Sequence, residues 1–147
     1  MISVVIPVYN EENTLEGLTQ RLIKVLSNLD EEYEIIFIND GSEDKSGYVI
    51  SELNNKYSGI IKAVHFNRNF GKSHALKEGF NRAKGDIVYM IDADLQDLPE
   101  EMPKLFNEMR DKDLDAVSGW KESRQDRFSK RFLSKIFNYV MQKYSGV

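Results

Sequence analysis

The sequence predicts an α/β domain with a mainly parallel sheet and helices on both faces. Short apolar runs alternate along the chain with longer segments whose apolar residues recur at helical spacing. The runs are continuously apolar, as expected of parallel strands that are buried on both faces. Three of the runs end in polar residues, and sheets of this kind bind ligands at the carboxyl ends of their strands.

Each element follows from its local pattern. Pro7 is expected to end the first strand. Asn13 or Thr14 can cap the first helix, and Pro99 opens the fourth with Asp97 as its cap. Strands are predicted at 2–6, 33–38, 60–66, 87–91 and 114–118, with 87–91 buried at the centre. Helices are predicted at 13–29, 44–57, 73–84 (Ala75, Leu76, Phe80 and Ala83 facing inward), from 99 and from about 128.

Composition limits the class of protein. With 147 residues, 41% hydrophobic and 30% charged, the chain is expected to be a single globular domain. The absence of cysteine excludes disulfides and thiolate metal sites, and it fits a reducing compartment. The start of the chain lacks the basic region of a signal peptide, and no stretch approaches the roughly 20 apolar residues of a membrane span.

The charge is unevenly distributed. Residues 121–143 hold seven Lys or Arg against two acidic residues, a net charge of +5. Because the whole chain has a net charge of −4, the remaining residues together carry −9. A basic segment on an acidic body favours an anionic partner, either phosphate headgroups or nucleic acid. If the charge is considered by itself, a helix face exposed to solvent explains the basic segment equally well.

Carboxylates follow the predicted strand at 87–91. In extended backbone Asp92, Asp94 and Gln96 share a face, and oxygen ligands suit Mg²⁺ or Mn²⁺. A solvated acidic turn is the simpler explanation, but polar residues after two other strands favour a site. Gly71 and Lys72, just before a helix, could present amides and a cation to phosphate, or Lys72 could be merely solvated. Gly-x-Gly-x-x-Gly and Walker A spacings are both absent, which disfavours dehydrogenases and P-loop enzymes.

The ordered motifs resemble a known family. The motifs Val4–Glu11, Asn39–Ser42, Arg68–Lys72, and Gly85-Asp86 with Asp92–Asp97 together are similar to family 2 glycosyltransferases with the GT-A (Rossmann-like) fold. Asp94-Leu95-Gln96-Asp97, and Gly119–Arg127 with the residues up to Phe137, resemble the polyprenyl-phosphate branch that includes dolichol-phosphate mannose synthase. The resemblance covers essentially the whole chain.

The resemblance implies a role for each matching residue. Lys121 stands where relatives often have arginine, so it keeps the charge but loses bidentate geometry. The implied nucleotide-binding residues are Pro7, Tyr9, Glu11, Asp40, Gly71, Lys72, Asp92 and Asp94, with Asp40 on uracil or ribose. The implied metal and diphosphate ligands are Asp92, Asp94 and Gln96, and the implied catalytic residues are Asp92, Asp94 and Lys121. The implied acceptor-phosphate and membrane contacts are Lys121, Arg124, Arg127 and Arg131.

The implied reaction is metal-dependent, inverting transfer of a sugar from a nucleotide-diphosphate sugar, by preference a UDP-sugar, to polyprenyl phosphate. The implied setting is the cytoplasmic side of a bacterial membrane, in cell-wall or polysaccharide biosynthesis. The resemblance also implies an anionic bilayer surface, no nucleic acid, and a homo-oligomer through the C-terminal helix. Three alternatives stay open: a glycan acceptor, a nucleotide-sugar-binding module without catalysis, and, more weakly, a metal-dependent phosphatase.

Relatives of this family continue beyond the position of Val147. We therefore expect a catalytic domain shortened at its C-terminus, with about 120–147 as a basic amphipathic segment facing acceptor and membrane. Such a chain is expected to bind nucleotide and metal but to transfer sugar poorly.

Overall fold

The computed structural model describes residues 1–119, where strands and helices alternate as predicted. The strands are β1 (Ile2–Val8), β2 (Tyr33–Asn39), β3 (Ile61–His65) and β4 (Ile87–Met90). The helices are α1 (Leu15–Leu26), α2 (Ser46–Lys56), α3 (Lys72–Arg82) and α4 (Met102–Asp111), the last preceded by a 3₁₀ turn at Pro99–Glu101. Residues 1–115 form one compact unit, and residues 116–119, which begin a second, contain neither helix nor strand. The single-domain organisation stays a prediction.

The four strands in this part of the chain form one parallel sheet in the order β3-β2-β1-β4. Residues of β1 alternate between its faces. Val4 and Ile6 pack with α1 and α2, whereas Val5 packs with Ala75 of α3. The predicted parallel sheet with helices on both faces is therefore confirmed, and the carboxyl ends of β1, β2 and β4 lie along one edge.

Pro7 does not end β1, contrary to the prediction. The strand continues to Val8, and Pro7 lies opposite Ile38 of β2. Hydrogen bonds show which side each residue faces: the carbonyl of Val8 accepts from Asp40 on the β2 side, and that of Val5 accepts from Ile91 on the β4 side. Pro7 is two residues after Val5, so its backbone nitrogen points to the same side as that of Val5, toward β4. Because β4 ends at Met90, no strand residue lies opposite Pro7 on that side, and the lack of an N–H in proline costs no hydrogen bond of the sheet.

The strand predicted as buried and central is an edge strand within residues 1–119. β4 pairs with β1 alone there, and Val88 and Met90 are 42% and 48% exposed. The fifth strand, predicted at 114–118, is absent. The amide of Leu114 instead donates to the carbonyl of Met109, so its hydrogen bond belongs to the end of α4 and not to the sheet.

Three local predictions also need correction. Phe80 is 48% exposed rather than inward, because the face of α3 that meets the sheet is centred on Ala75 and Gly79. Thr14 is the N-cap of α1, but its hydroxyl donates to the carbonyl of Glu11 and does not cap the helix amides. Leu98, one residue after the predicted Asp97, is the cap before the 3₁₀ turn. No helix among residues 1–119 is long and apolar enough to cross a bilayer.

Candidate functional site

A cleft of about 290 Å³ opens at the carboxyl ends of β1, β2 and β4, beside the start of α3. This is the position at which a parallel sheet binds its ligand. Eight of the residues predicted from the sequence line this single cleft. The lining residues are Pro7, Val8, Tyr9, Glu11, Asp40, Asn69, Gly71, Lys72, Asp92, Ala93 and Asp94.

The loops that follow β1 and β2 are held together by reciprocal hydrogen bonds. The amide of Asn10 donates to Ser42 Oγ at 3.0 Å, and Asn10 Oδ1 accepts from the amide of Glu43 at 2.8 Å. Asn10 has φ +57°, in the left-handed region that asparagine tolerates well. Next along the chain, the amide of Glu11 donates to Ser46 Oγ at 2.8 Å. These bonds fix the wall of the cleft that carries Tyr9 and Glu11.

Asp40 holds the loop that leads into α3. This buried carboxylate accepts hydrogen bonds from the amides of Phe70 (2.8 Å) and Gly71 (2.9 Å). The next residue, Gly41, has φ +66°, and a β-carbon there would lie 2.2 Å from the carbonyl carbon of Arg68. Only glycine lets the two loops approach so closely. The predicted contact of Asp40 with uracil or ribose stays a prediction, since both its oxygens already serve the loop.

Gly71 and Lys72 bring the beginning of α3 to the cleft. Gly71 is the N-cap with φ +93°, and Lys72 is the first residue of the helix. The first amides of a helix carry partial positive charge and favour anions. The ammonium of Lys72 lies 2.5 Å from Oδ1 and 2.7 Å from Oδ2 of Asp92, so it bridges both oxygens of one carboxylate.

The backbone after β4 does not stay extended through the carboxylates, as the sequence interpretation assumed. It turns at residues 93–95, where Leu95 has φ +60°, and Asp94 Oδ1 accepts from the amide of Gln96 at 3.0 Å. Asp92 and Asp94 still line the cleft, but Gln96 is not among its lining residues. The assumed alternation is therefore wrong, because the backbone turns between Asp92 and Gln96. The role of the Gln96 side chain as a metal ligand stays a prediction.

Negative charge accumulates on one side of the cleft. Burial raises the pKa of Glu11, the Thr14 hydroxyl opposes that shift, and the charges of Asp94, Asp44 and Asp92 add to it. Partly desolvated carboxylates gathered in this way favour a cation between them and a ligand.

The described carboxylates suit a divalent ion only in part. Asp92 and Asp94 offer the oxygen ligands that Mg²⁺ and Mn²⁺ prefer. However, residues 1–119 contain no group of three or more His, Cys, Asp or Glu able to hold a metal. A Mg²⁺-type ion typically keeps several positions for water and phosphate oxygens, so two carboxylates fit an ion that is shared with a bound diphosphate.

Sequence reasoning missed three lining residues: Val8, Asn69 and Ala93. Asn69 lies in the polar loop before α3, and its Oδ1 accepts from the amide of Gly71 at 2.9 Å. Asn69 could have been predicted from the sequence, because the side chain of an asparagine in an Asn-x-Gly pattern often accepts from the backbone amide two residues later. Four predicted acceptor residues lie outside the described part of the chain: Lys121, Arg124, Arg127 and Arg131.

A parallel sheet whose strand ends hold carboxylates beside a helix N-terminus defines an α/β domain with a ligand cleft at the carboxyl edge of its sheet. The chain matches Glycosyl transferase family 2 over residues 3–146 and belongs to this family. A curated relative from Edwardsiella ictaluri (strain 93-146), the undecaprenyl-phosphate 4-deoxy-4-formamido-L-arabinose transferase, is 40% identical over 99% of the chain. The chain spans 44% of that relative's length. The predicted family is thereby confirmed. The relative acts on undecaprenyl phosphate, as its name states, which is the acceptor class of the predicted branch.

Solved structures agree on the fold. S. aureus TarS 1-349 in complex with UDP is 19% identical and has a TM-score of 0.60, over 86% of this chain and 38% of TarS 1-349. The mannosyltransferase PcManGT from Pyrobaculum calidifontis, in complex with GDP-Man and Mn²⁺, is 24% identical and has a TM-score of 0.57, over 63% of this chain and 27% of PcManGT. At these identities the likeness concerns the fold alone, which is the predicted GT-A fold.

Proposed function

We propose that the chain forms the donor-binding part of a glycosyltransferase that moves a sugar from a UDP-sugar to polyprenyl phosphate. The observation that carries the proposal is the single cleft lined by Asp92 and Asp94, in which Lys72 at the start of α3 contacts Asp92. Such a cleft offers a place for a metal ion and a place for phosphate oxygens. The acceptor follows from the name of the curated relative, and UDP from the ligand of TarS.

Each part of the cleft has a task in this proposal. Tyr9 and Pro7 provide an apolar wall for the base, and Asp40 keeps the opposite loop in place through Phe70 and Gly71. The amides at the start of α3 receive diphosphate oxygens. Asp92 and Asp94 would hold Mg²⁺ or Mn²⁺, and an ion bound there supplies positive charge to the leaving diphosphate.

The acceptor needs little activation. A phosphate monoester has a second pKa near 6 and is largely dianionic at pH 7. One of its oxygens forms a bond to the anomeric carbon, the bond from that carbon to the diphosphate breaks, and the nucleoside diphosphate leaves with the electron pair. Direct displacement inverts the anomeric centre.

The remaining parts of the proposal concern the membrane. The acceptor lipid places the reaction at a bilayer, and we propose its cytoplasmic side, where nucleotide sugars are made. Contacts of Lys121, Arg124, Arg127 and Arg131 with the acceptor phosphate or an anionic surface stay predictions, as does a homo-oligomer through the C-terminal helix.

Calorimetry with UDP and Mn²⁺ tests the donor site. Wild type is expected to bind UDP at least tenfold more tightly with Mn²⁺ than without it, and Asp94→Asn is expected to lose that gain. Asp111→Asn, the same change at an exposed position of α4, serves as the control. UDP binding that is equal with and without metal, or unchanged in Asp94→Asn, overturns the proposed site. Transfer of labelled sugar to polyprenyl phosphate rather than to glycan distinguishes the two acceptor classes.

A further inference from the structure

The ammonium of Lys72 forms an ion pair with Asp92, the carboxylate that a metal ion would need as a ligand. Its ammonium contacts both oxygens of Asp92, at 2.5 and 2.7 Å. Lys72 is 53% exposed and Asp92 36% exposed, so the ion pair lies at the open mouth of the cleft, within reach of ligands. An ammonium in this position neutralises Asp92 without any bound ion.

A divalent ion and the Lys72 ammonium compete for the same oxygens. Both cations prefer the space in front of Asp92, and their mutual repulsion grows as the distance between them falls. Partial exposure keeps the pair weak enough to break, since exposed ion pairs contribute little stability. An approaching metal ion must therefore displace Lys72.

The small number of carboxylates makes that displacement hard for a metal ion alone. No group of three metal-binding side chains exists among residues 1–119, and Asp92 and Asp94 together supply only part of a coordination shell. A bound diphosphate acts on both competitors, the metal ion and the Lys72 ammonium. Its oxygens complete the shell of the metal ion, and they also offer Lys72 a new anionic partner beside the start of α3.

We infer that Lys72 makes nucleotide and metal binding depend on one another: it blocks Asp92 in the free protein and transfers to the diphosphate when both ligands enter. This inference rests on the proposed donor site and adds an order of binding to it, in which the metal ion enters with the nucleotide and not before it. Because binding couplings are reciprocal, the metal ion raises affinity for nucleotide by the same factor as nucleotide raises affinity for metal.

The test measures Mn²⁺ binding by electron paramagnetic resonance, with and without UDP, in wild type, Lys72→Met and Lys77→Met. Lys77 is an exposed lysine of the same helix that does not line the cleft, so its variant matches the change in net charge. We expect Lys72→Met to bind Mn²⁺ alone about threefold to tenfold more tightly than wild type, as the loss of a competing charge implies. UDP alone is expected to bind more weakly to Lys72→Met, and the factor by which each ligand promotes the other is expected to fall. Lys77→Met should match wild type in all three quantities.

Unchanged or weaker Mn²⁺ binding by Lys72→Met overturns the inference, and so does an equal gain in Lys77→Met. This part of the experiment contains no nucleotide, so it decides the competition at Asp92 even if UDP does not bind. Failure of the proposed function is seen separately, as absence of metal-dependent UDP binding in wild type.

Discussion

The buried carboxylate of Asp40 accepts a hydrogen bond from the backbone amide of Gly71 at 2.9 Å, which ties the end of β2 to the start of α3. The other oxygen accepts from the amide of Phe70 at 2.8 Å. One side chain thus positions the loop that delivers the first turn of α3 to the cleft. Its loss should affect the geometry of the cleft as well as the stability of the fold.

Asp40→Asn tests this relationship. An asparagine can accept from one of the two amides, but its own NH₂ group then faces the other, so one of the two hydrogen bonds is lost. The amide of Gly71 keeps Asn69 Oδ1 as a second acceptor, so the larger loss is expected when the NH₂ group faces Phe70. We expect the free energy of unfolding to fall by about 1–3 kcal/mol. Hydrogen exchange at Phe70 and Gly71 should become faster than in wild type. The control is Asp111→Asn on α4, expected within about 0.5 kcal/mol of wild type. Protection of both amides equal to that in wild type contradicts the assigned role.

Gly41→Ala should displace the same loop from the other side. Its β-carbon would lie 2.2 Å from backbone of Arg68, and φ +66° adds strain for any residue except glycine. We expect a loss of about 2–4 kcal/mol of unfolding free energy and weaker UDP binding. Gly59→Ala separates the two causes, because Gly59 has φ +93° but nothing within 4 Å of an added β-carbon. Denaturant titrations in which both variants lose the same amount would show that overlap with Arg68 contributes nothing.

Much of this cleft could be predicted from the sequence, because its parts are local. Asp40 follows an apolar run, Gly71 precedes a helical pattern, and Asp92 ends another apolar run. Parallel topology then brings all three to one edge of the sheet. The turn at Leu95 was not predicted, since φ +60° at a leucine is rare and no local residue pattern announces it.

Features that depend on packing between distant segments were predicted less well. An apolar run shows that a strand can form, but the neighbours of β4 decide how far Val88 is exposed. The face of α3 was misjudged for a related reason. Hydrophobicity favoured Phe80, whereas a β-carbon on Gly79 would lie 2.3 Å from Val5, so the close approach of helix and sheet requires small residues there.

Glu34 should make the free energy of unfolding depend on pH. Burial alone would raise the pKa of this carboxyl, but hydrogen bonds from Lys62, from the Ser3 hydroxyl (2.6 Å) and from the amide of Lys84 (2.7 Å) outweigh burial and lower it. A folded pKa below the unfolded value of about 4.3 gives stabilisation that is complete above that pH and is lost as pH falls through the folded pKa.

Glu34→Gln is therefore expected to lower the unfolding free energy by about 1–3 kcal/mol at pH 7. The difference from wild type should shrink as the pH falls below about 4.3, because the unfolded carboxyl then takes up a proton more readily than the folded one. Urea denaturation from pH 3 to pH 8 measures both quantities, with Glu52→Gln on the exposed side of α2 as the control. A difference that stays constant over this range contradicts the lowered pKa.

Glu11 should show the opposite sign. Burial is the main reason that its pKa is raised, and Asp94 adds to the shift. When the folded pKa lies above the unfolded one, ionisation disfavours the fold, so stability is lost as pH rises through the folded pKa. We expect Glu11→Gln to raise the unfolding free energy by about 0.5–1 kcal/mol at pH 7 and to match wild type below about pH 4. Glu52→Gln again serves as the control. If Glu11 also contacts the nucleotide, as the resemblance implies, Glu11→Gln will bind UDP more weakly than wild type although it is more stable. A Glu11→Gln variant that is less stable than wild type at pH 7 contradicts the raised pKa.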